Sequence, residues 1–156
     1  MLIRNILEES VRKFDEVKAV KWLKKKEIME RSYGELMENV VSTRKGLLAE
    51  GFEGKHIALI GTSSVEWMES YLGIITGCTT AVPLDAALPC EDLIDLLNRS
   101  DSAALFLSPK LRPYLDAFLE NCPKLQKVWM LQEEVEDAPA KVYGIGELRN
   151  AGKSAS

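Results

Sequence analysis

The sequence predicts an α/β protein on a doubly wound parallel sheet of about four βα units, preceded by a helix, a β-hairpin and a long amphipathic helix. Two observations carry this prediction. From His56 onward short apolar runs alternate strictly with helical stretches, and the runs are apolar at successive positions, so both strand faces need cover. Single helices between such strands provide that cover only by lying on both sides of the sheet.

Ahead of the alternation, Ile6, Leu7, Val11 and Phe14 recur at helical spacing and predict a short amphipathic helix over residues 5–14. Residues 17–23 and 27–31, separated by Lys24-Lys25-Lys26, read as a hairpin. Ser32-Tyr33-Gly34-Glu35 has the spacing of a capping box, in which a Ser hydroxyl and a Glu carboxylate satisfy each other's open amides. A helix is therefore expected from Tyr33, with Leu36, Met37, Val40, Val41, Leu47 and Leu48 as its apolar stripe. Gly51 is expected to end it in the left-handed conformation, with Phe52 folded back onto Leu47.

The expected strands are 56–60, 79–84, 103–107 and 128–131. Between the first two, residues 65–76 carry Trp67, Met68, Tyr71, Leu72 and Ile75 on one face, and Ser63 with Glu66 repeats the capping-box spacing. Pro89 suits the first position of a helix over 91–98, whose inward stripe is Leu93, Ile94 and Leu97. Pro113 opens 114–121 in the same way, with Tyr114, Leu115, Phe118 and Leu119 inward. Residues 132–141 are acidic, proline-bearing and aperiodic, which predicts an exposed connection, and the chain from Ala151 on reads as frayed. On this reading residues 1–131 form one α/β subdomain and 132–156 a connecting segment.

Charge and composition exclude several functions. Twenty-four acidic and 20 basic residues are interleaved, for a net charge of −4, whereas a nucleic-acid surface needs a clustered positive field. The lysine cluster reads as a solvated turn. The amino terminus shows no signal-peptide or anchor pattern, so a cytoplasmic protein without a transmembrane segment is expected. Cys78, Cys90 and Cys122 are odd in number and outside any C-x-x-C pair, which argues against a disulfide framework and a thiolate metal site. His56 is the single histidine, too few for a nucleophile triad or a multi-histidine metal centre. No catalytic or metal-ligating residue is therefore assigned.

Nucleotide motifs are incomplete. No G-x-G-x-x-G follows a strand. Gly61, Thr62, Ser63 and Ser64 follow the first strand of the alternation with one glycine where a dinucleotide loop needs several. They do lie at a strand's C-terminal end, the side where α/β ligands bind, and so are candidates to border a site; a helix cap made by Ser63 explains the same composition. The run from Glu147 to Ser154 matches the end of a phosphate loop but has Glu147 in place of its first glycine, with no strand leading in or helix following. Asp85 could hold Mg²⁺ or accept a phosphoryl group, yet Gly61-Thr62 stands where the companion acids belong, so a turn former is expected.

A run of motifs across roughly residues 17–107 carries more information. Ser32-Tyr33-Gly34-Glu35-Leu36, Gly46-Leu47-Leu48-Ala49-Glu50-Gly51-Phe52 and Gly54-Lys55-His56-Ile57-Ala58-Leu59 follow one another in order. After them come Gly61-Thr62-Ser63-Ser64-Val65-Glu66-Trp67, Gly73-Ile74-Ile75-Thr76-Gly77-Cys78 and Val82-Pro83-Leu84-Asp85. Leu88-Pro89-Cys90-Glu91-Asp92-Leu93 and Ser100-Asp101-Ser102-Ala103-Ala104-Leu105-Phe106 close the series. Their order and spacing resemble the N-terminal part of the acyl-adenylate-forming, AMP-binding superfamily, most of all its long-chain fatty acid–CoA ligases; Gly61 and Thr62 depart from that family's Pro-Asn.

The resemblance implies the N-terminal subdomain of an acyl-CoA synthetase-like fold, from an enzyme that uses ATP to convert a carboxylate to an acyl-adenylate and then a thioester. It implies ATP, Mg and coenzyme A for a full-length parent, with none bound by this piece. The family's Ser/Thr/Gly-rich phosphate loop ending in Pro-Lys, its adenine-side aromatic and its ribose-binding Asp have no counterparts here, and residues 143–152 resemble the helix just ahead of that loop. The expected partners are the remainder of the parent ligase and, for the isolated piece, a second copy paired through exposed apolar surface. The competing reading is a stand-alone α/β binding or regulatory module.

Overall fold

The computed structural model describes residues 18–24, 27–62 and 64–154, with side chains from Ser32 on; the helix expected over 5–14 lies outside them. β1 (Lys18–Lys24) and β2 (Glu27–Ser32) pair antiparallel as the expected hairpin. Ser32 ends β2 and caps α1 (Tyr33–Ala49). Its Oγ accepts from the Glu35 amide at 3.1 Å, while Glu35 Oε1 accepts from the Ser32 amide at 3.3 Å. At the other end Gly51 adopts φ +86°. The Phe52 N–H donates to the Leu47 carbonyl (3.0 Å) and the Gly51 N–H to that of Leu48 (3.1 Å), the two bonds of a Schellman ending. Phe52 and Leu47 then share one core cluster.

Five strands, β3 (His56–Gly61), β4 (Thr80–Asp85), β5 (Ser102–Leu107), β6 (Lys127–Met130) and β7 (Val142–Gly144), form one sheet in the order β4-β3-β5-β6-β7. Every pairing in it is parallel. Strand side chains alternate between its two faces. Ala58, Ile60, Leu105, Leu107, Val128 and Met130 meet Leu93 and Leu97 of α3 (Cys90–Arg99) and Leu115 and Phe118 of α4 (Leu115–Asn121). Ile57, Leu59, Ala104, Phe106 and Trp129 meet the opposite layer, made by α1, α2 (Val65–Ile75) and α5 (Ile145–Ser154). Trp129 anchors that layer, its ring 5.5 Å from Phe52 and 5.4 Å from Phe106.

Several expectations are corrected. The fifth strand and α5 replace the frayed end: only 132–141 connects, and Ala151 to Ser154 are helical. Three residues of β7 are too few to show alternation, and the buried side of α5, Ile145, Gly146, Leu148, Arg149 and Gly152, mixes glycine and arginine into what would be an apolar stripe. In α2 the expected stripe is only half-buried, and the buried side is Val65, Glu69, Ser70, Gly73 and Ile74. The small residues there bring the helix close to α1: a Cβ on Gly73 would lie 2.8 Å from Thr43 Cβ. Leu48 of the expected α1 stripe is 55% exposed, because the buried side runs through Val40, Thr43, Gly46 and Leu47. Pro89 is the N-cap of α3 rather than its first residue. Pro113 sits inside a 3₁₀ turn (Pro109–Tyr114) that precedes α4, and Tyr114 and Leu119 are half-buried.

Ser32→Ala is expected to cost about 1 kcal/mol by leaving the Glu35 amide without its hydroxyl acceptor. The urea midpoint measures it, and an unchanged midpoint would mean that the cap contributes nothing.

Candidate functional site

In a parallel sheet of this order the connections leave β3 and β5 in opposite directions: α2 covers one face, while the 3₁₀ turn and α4 cover the other. Ligands of doubly wound sheets bind in the crevice at such a reversal, outside the carboxyl ends of the strands. The residues there are Gly61 and Thr62 after β3 and Ser108 and Pro109 after β5. The expected site loop therefore lies at this switch point. Ser63 is outside the described residues.

Gly61 is the last residue of β3, Thr62 is exposed, and Ser64 is the N-cap of α2, its Oγ accepting from the Trp67 amide at 3.1 Å. Ser64 thus fills the capping role expected of Ser63. The crevice itself is tight. Ser108 is buried, its amide donates to the Ile60 carbonyl at 2.9 Å, and a Cβ on Gly61 would lie 3.0 Å from Ser108 Cβ and 3.2 Å from Trp67 Cδ1. A side chain at position 61 would need Ser108 or Trp67 to give way by a few tenths of an ångström. Trp67 stacks on Tyr71, centroids 5.3 Å apart and planes 10° apart, forming a half-buried aromatic wall beside the loop. Ser108 and this wall escaped sequence reasoning; a serine-proline pair directly after a buried strand was the available signal.

Ser108 and Trp67 stand close against Gly61 on this side of the crevice. Among the described residues there is no group of three or more His, Cys, Asp or Glu that could hold a metal ion. Asp85 is the expected turn former: its Oδ1 accepts from the Ala87 amide at 2.9 Å and its carbonyl from Leu88 at 3.1 Å. Burial pushes the Cys122 thiol up, with Cys90 adding to it, and burial followed by Glu91 pushes up Cys90, so neither is poised as a thiolate nucleophile. His56, at the far end of β3, donates from Nδ1 to the Ser100 carbonyl at 2.7 Å. It lines an open hollow of about 500 Å³ with Lys55, Asp101 and Lys124. There the Lys124 ammonium, hydrogen-bonded to Asp101, holds that carboxyl below its ordinary range. The hollow lies at the amino ends of the strands, opposite the crevice. The run from Glu147 to Ser154 lies in α5, where a Cβ on Gly152 would sit 2.0 Å from the Ser42 carbonyl oxygen; a packed helix is not a phosphate loop.

Sheet order and switch point define a doubly wound α/β domain. The family model for AMP-binding enzymes matches residues 7–151, and the chain belongs to that family. Solved structures show the same fold. Coronafacic acid ligase from Pectobacterium brasiliense superposes with a TM-score of 0.81 at 18% identity over 96% of this chain and 29% of that one. The anthranilate CoA ligase AuaEII, in complex with anthranoyl-AMP, gives 0.80 at 17% identity over 94% and 27%. The N-terminal domain of FACL13 from Mycobacterium tuberculosis gives 0.76 at 18% identity over 100% and 37%. The chain therefore spans between 27% and 37% of these three chains. No curated protein matches the sequence significantly.

Gly61→Ala is expected to cost about 1–3 kcal/mol through overpacking against Ser108 and Trp67, and Ser108→Gly to recover part of that loss in the double variant. Strictly additive urea midpoints would show that the two residues do not meet.

Proposed function

We propose that this chain is the N-terminal part of an ATP-dependent acid–CoA ligase of the long-chain fatty acid type, acting in the cytoplasm, and that by itself it is a scaffold without catalysis. The observation that carries the reading is the family match over 7–151 on a doubly wound domain. The local motifs of the resemblance also occupy fitting places: the capping box starts α1, Gly51 ends it, and Val82-Pro83-Leu84 lies in the edge strand β4. An edge strand is where a sheet tolerates proline.

In a full-length parent, ATP with Mg²⁺ supplies the adenylate that activates a carboxylate, and coenzyme A supplies the thiol that displaces AMP. This chain's own residues shape one wall of that site. Gly61 keeps the β3 turn against Ser108, Ser64 caps α2 and leaves its hydroxyl at the surface, and Thr62 offers an exposed hydroxyl. Among the described residues of this loop none is a group that takes or gives a proton readily. The remainder of the parent is the partner. It would cover β4, which among the described residues is paired along one side only, and the half-buried Met68, Leu72 and Ile75 on α2. Among the described residues no helix is long and apolar enough to cross a membrane.

Reading the coding sequence past Ser156 tests the proposal. A Ser/Thr/Gly-rich loop ending in Pro-Lys supports it, and a stop codon supports the stand-alone module. The isolated chain is expected to show no acid-dependent exchange of pyrophosphate into ATP, since the family's phosphate-loop motif has no counterpart in the sequence; exchange with any carboxylic acid would refute the scaffold role. The isolated chain is also expected to self-associate, because uncovered apolar surface tends to be hidden by pairing. Sedimentation across a concentration series checks this, and a monomer that binds no apolar dye at high concentration would speak for the stand-alone module.

A further inference from the structure

The sheet stops at β4. Among the described residues β4 pairs with β3 along one side and with no strand along the other. An open edge of this kind presents a row of amides and carbonyls on which another strand can build. From Thr80 to Asp85 the strand reads Thr-Ala-Val-Pro-Leu-Asp, and none of its residues is fully buried.

The register shows which backbone groups face outward. The Thr80 amide donates to the Lys55 carbonyl at 3.0 Å, and Thr80 stands opposite His56. Alternate residues of a strand turn their backbone groups to opposite sides, so Thr80, Val82 and Leu84 bond to β3, while Ala81, Pro83 and Asp85 face away from it. The far side of β3 agrees with this phase: the Ile60 carbonyl accepts from the Ser108 amide beyond β5 at 2.9 Å, which leaves Leu59, opposite Pro83, facing β4.

Proline has no N–H, so the middle of the outward row lacks its donor, and the ring stands where an amide would reach a neighbour. At the end of the row the Asp85 carbonyl already accepts from the Leu88 amide at 3.1 Å. One position earlier or later, the proline would have removed a bond to β3 instead. Its side chain is exposed, whereas Val82 and Leu84 pack against one core cluster and Ala81 against the other.

We propose that Pro83 seals the outer edge of β4 against strand addition, in the first place by β4 of a second copy of this chain. Two copies related by a two-fold axis would pair antiparallel, with residue 83 opposite residue 83 and residue 81 opposite residue 85. A central pair with amides exchanges two N–H···O bonds; a pair of prolines makes neither. The seal is a property of the edge and does not rest on the ligase reading.

Pro83→Ala and Pro83→Val test it in the 156-residue chain. Each restores the amide, the valine with added apolar surface and the alanine without it. In sedimentation over a concentration series both variants are expected to associate more tightly than the wild type by about tenfold or more, since each pair regains two hydrogen bonds. Amide exchange locates the contact. In the variants the amides of residues 81, 83 and 85 should gain protection as concentration rises. In the wild type those of Ala81 and Asp85 should exchange at rates independent of concentration, even where the chain associates through its apolar surface. Wild-type association by both variants would overturn the proposal. So would tighter association of the valine variant alone, which would assign the effect to its side chain. Protection of Ala81 and Asp85 that grows with wild-type concentration would also overturn it, because the edge would then pair in spite of its proline. Should a variant not fold, this wild-type exchange still tests the seal directly. None of these readouts involves nucleotide chemistry, so failure here leaves the ligase reading standing.

Discussion

Everything in this domain depends on strands that cannot face water on either side. β5 is buried at each of its six positions, and β3 at four successive positions of six. Apolar surface of this kind is worth roughly 25 cal/mol per Å² removed from water, so a helix layer on each face is required. Two layers with single connections force a reversal of direction somewhere in the sheet. That reversal falls between β3 and β5, and the candidate site exists because of it.

The two layers solve their packing differently. On one side α3 and α4 meet the sheet with Leu93, Leu97, Leu115 and Phe118, a conventional apolar contact whose polar residues face outward. On the other, three helices must share one sheet face, and only glycine, serine and threonine leave room for them to touch each other as well as the strands. Close approach of backbones removes water from the seam, and any polar group caught there needs a partner. The Glu69, Asn39, Thr43 and Arg149 ring meets part of that need with protein atoms, while the buried Ser70 hydroxyl has no hydrogen-bond partner among the described residues.

What the sequence disclosed and what it hid follow from the range of the interactions. The capping box at Ser32 and the glycine ending at Gly51 are local: all partners lie within five residues, and both were legible. β3, β5 and β6 were legible because burial on both faces leaves continuous apolar runs; β4, an edge strand with no fully buried residue, was legible from its place in the alternation. The inward side of α2 was misread, since its packing is set by Thr43 and Arg149 rather than by its own hydrophobic count. β7 was missed for the same reason, and α5 was reached only through the resemblance of residues 143–152 and not from its own pattern; the bond from Arg149 to Thr43 spans 106 positions. For the site, a loop after a strand was readable from position alone. That Gly61 would abut Ser108 was not, because their contact is decided by sheet order.

The same long separation has a consequence for how the chain is made. Synthesis runs from the amino terminus, and domains fold as their last elements emerge. Glu69 leaves the ribosome about 80 residues before Arg149, an interval of roughly 4–16 s at about 5–20 residues per second. For that time Glu69 has no Arg149 to meet, and its carboxylate stays hydrated with the rest of the incomplete domain. The charge that costs desolvation in the finished domain therefore costs nothing while the chain is unfinished, and its burial waits on the arrival of the last helix.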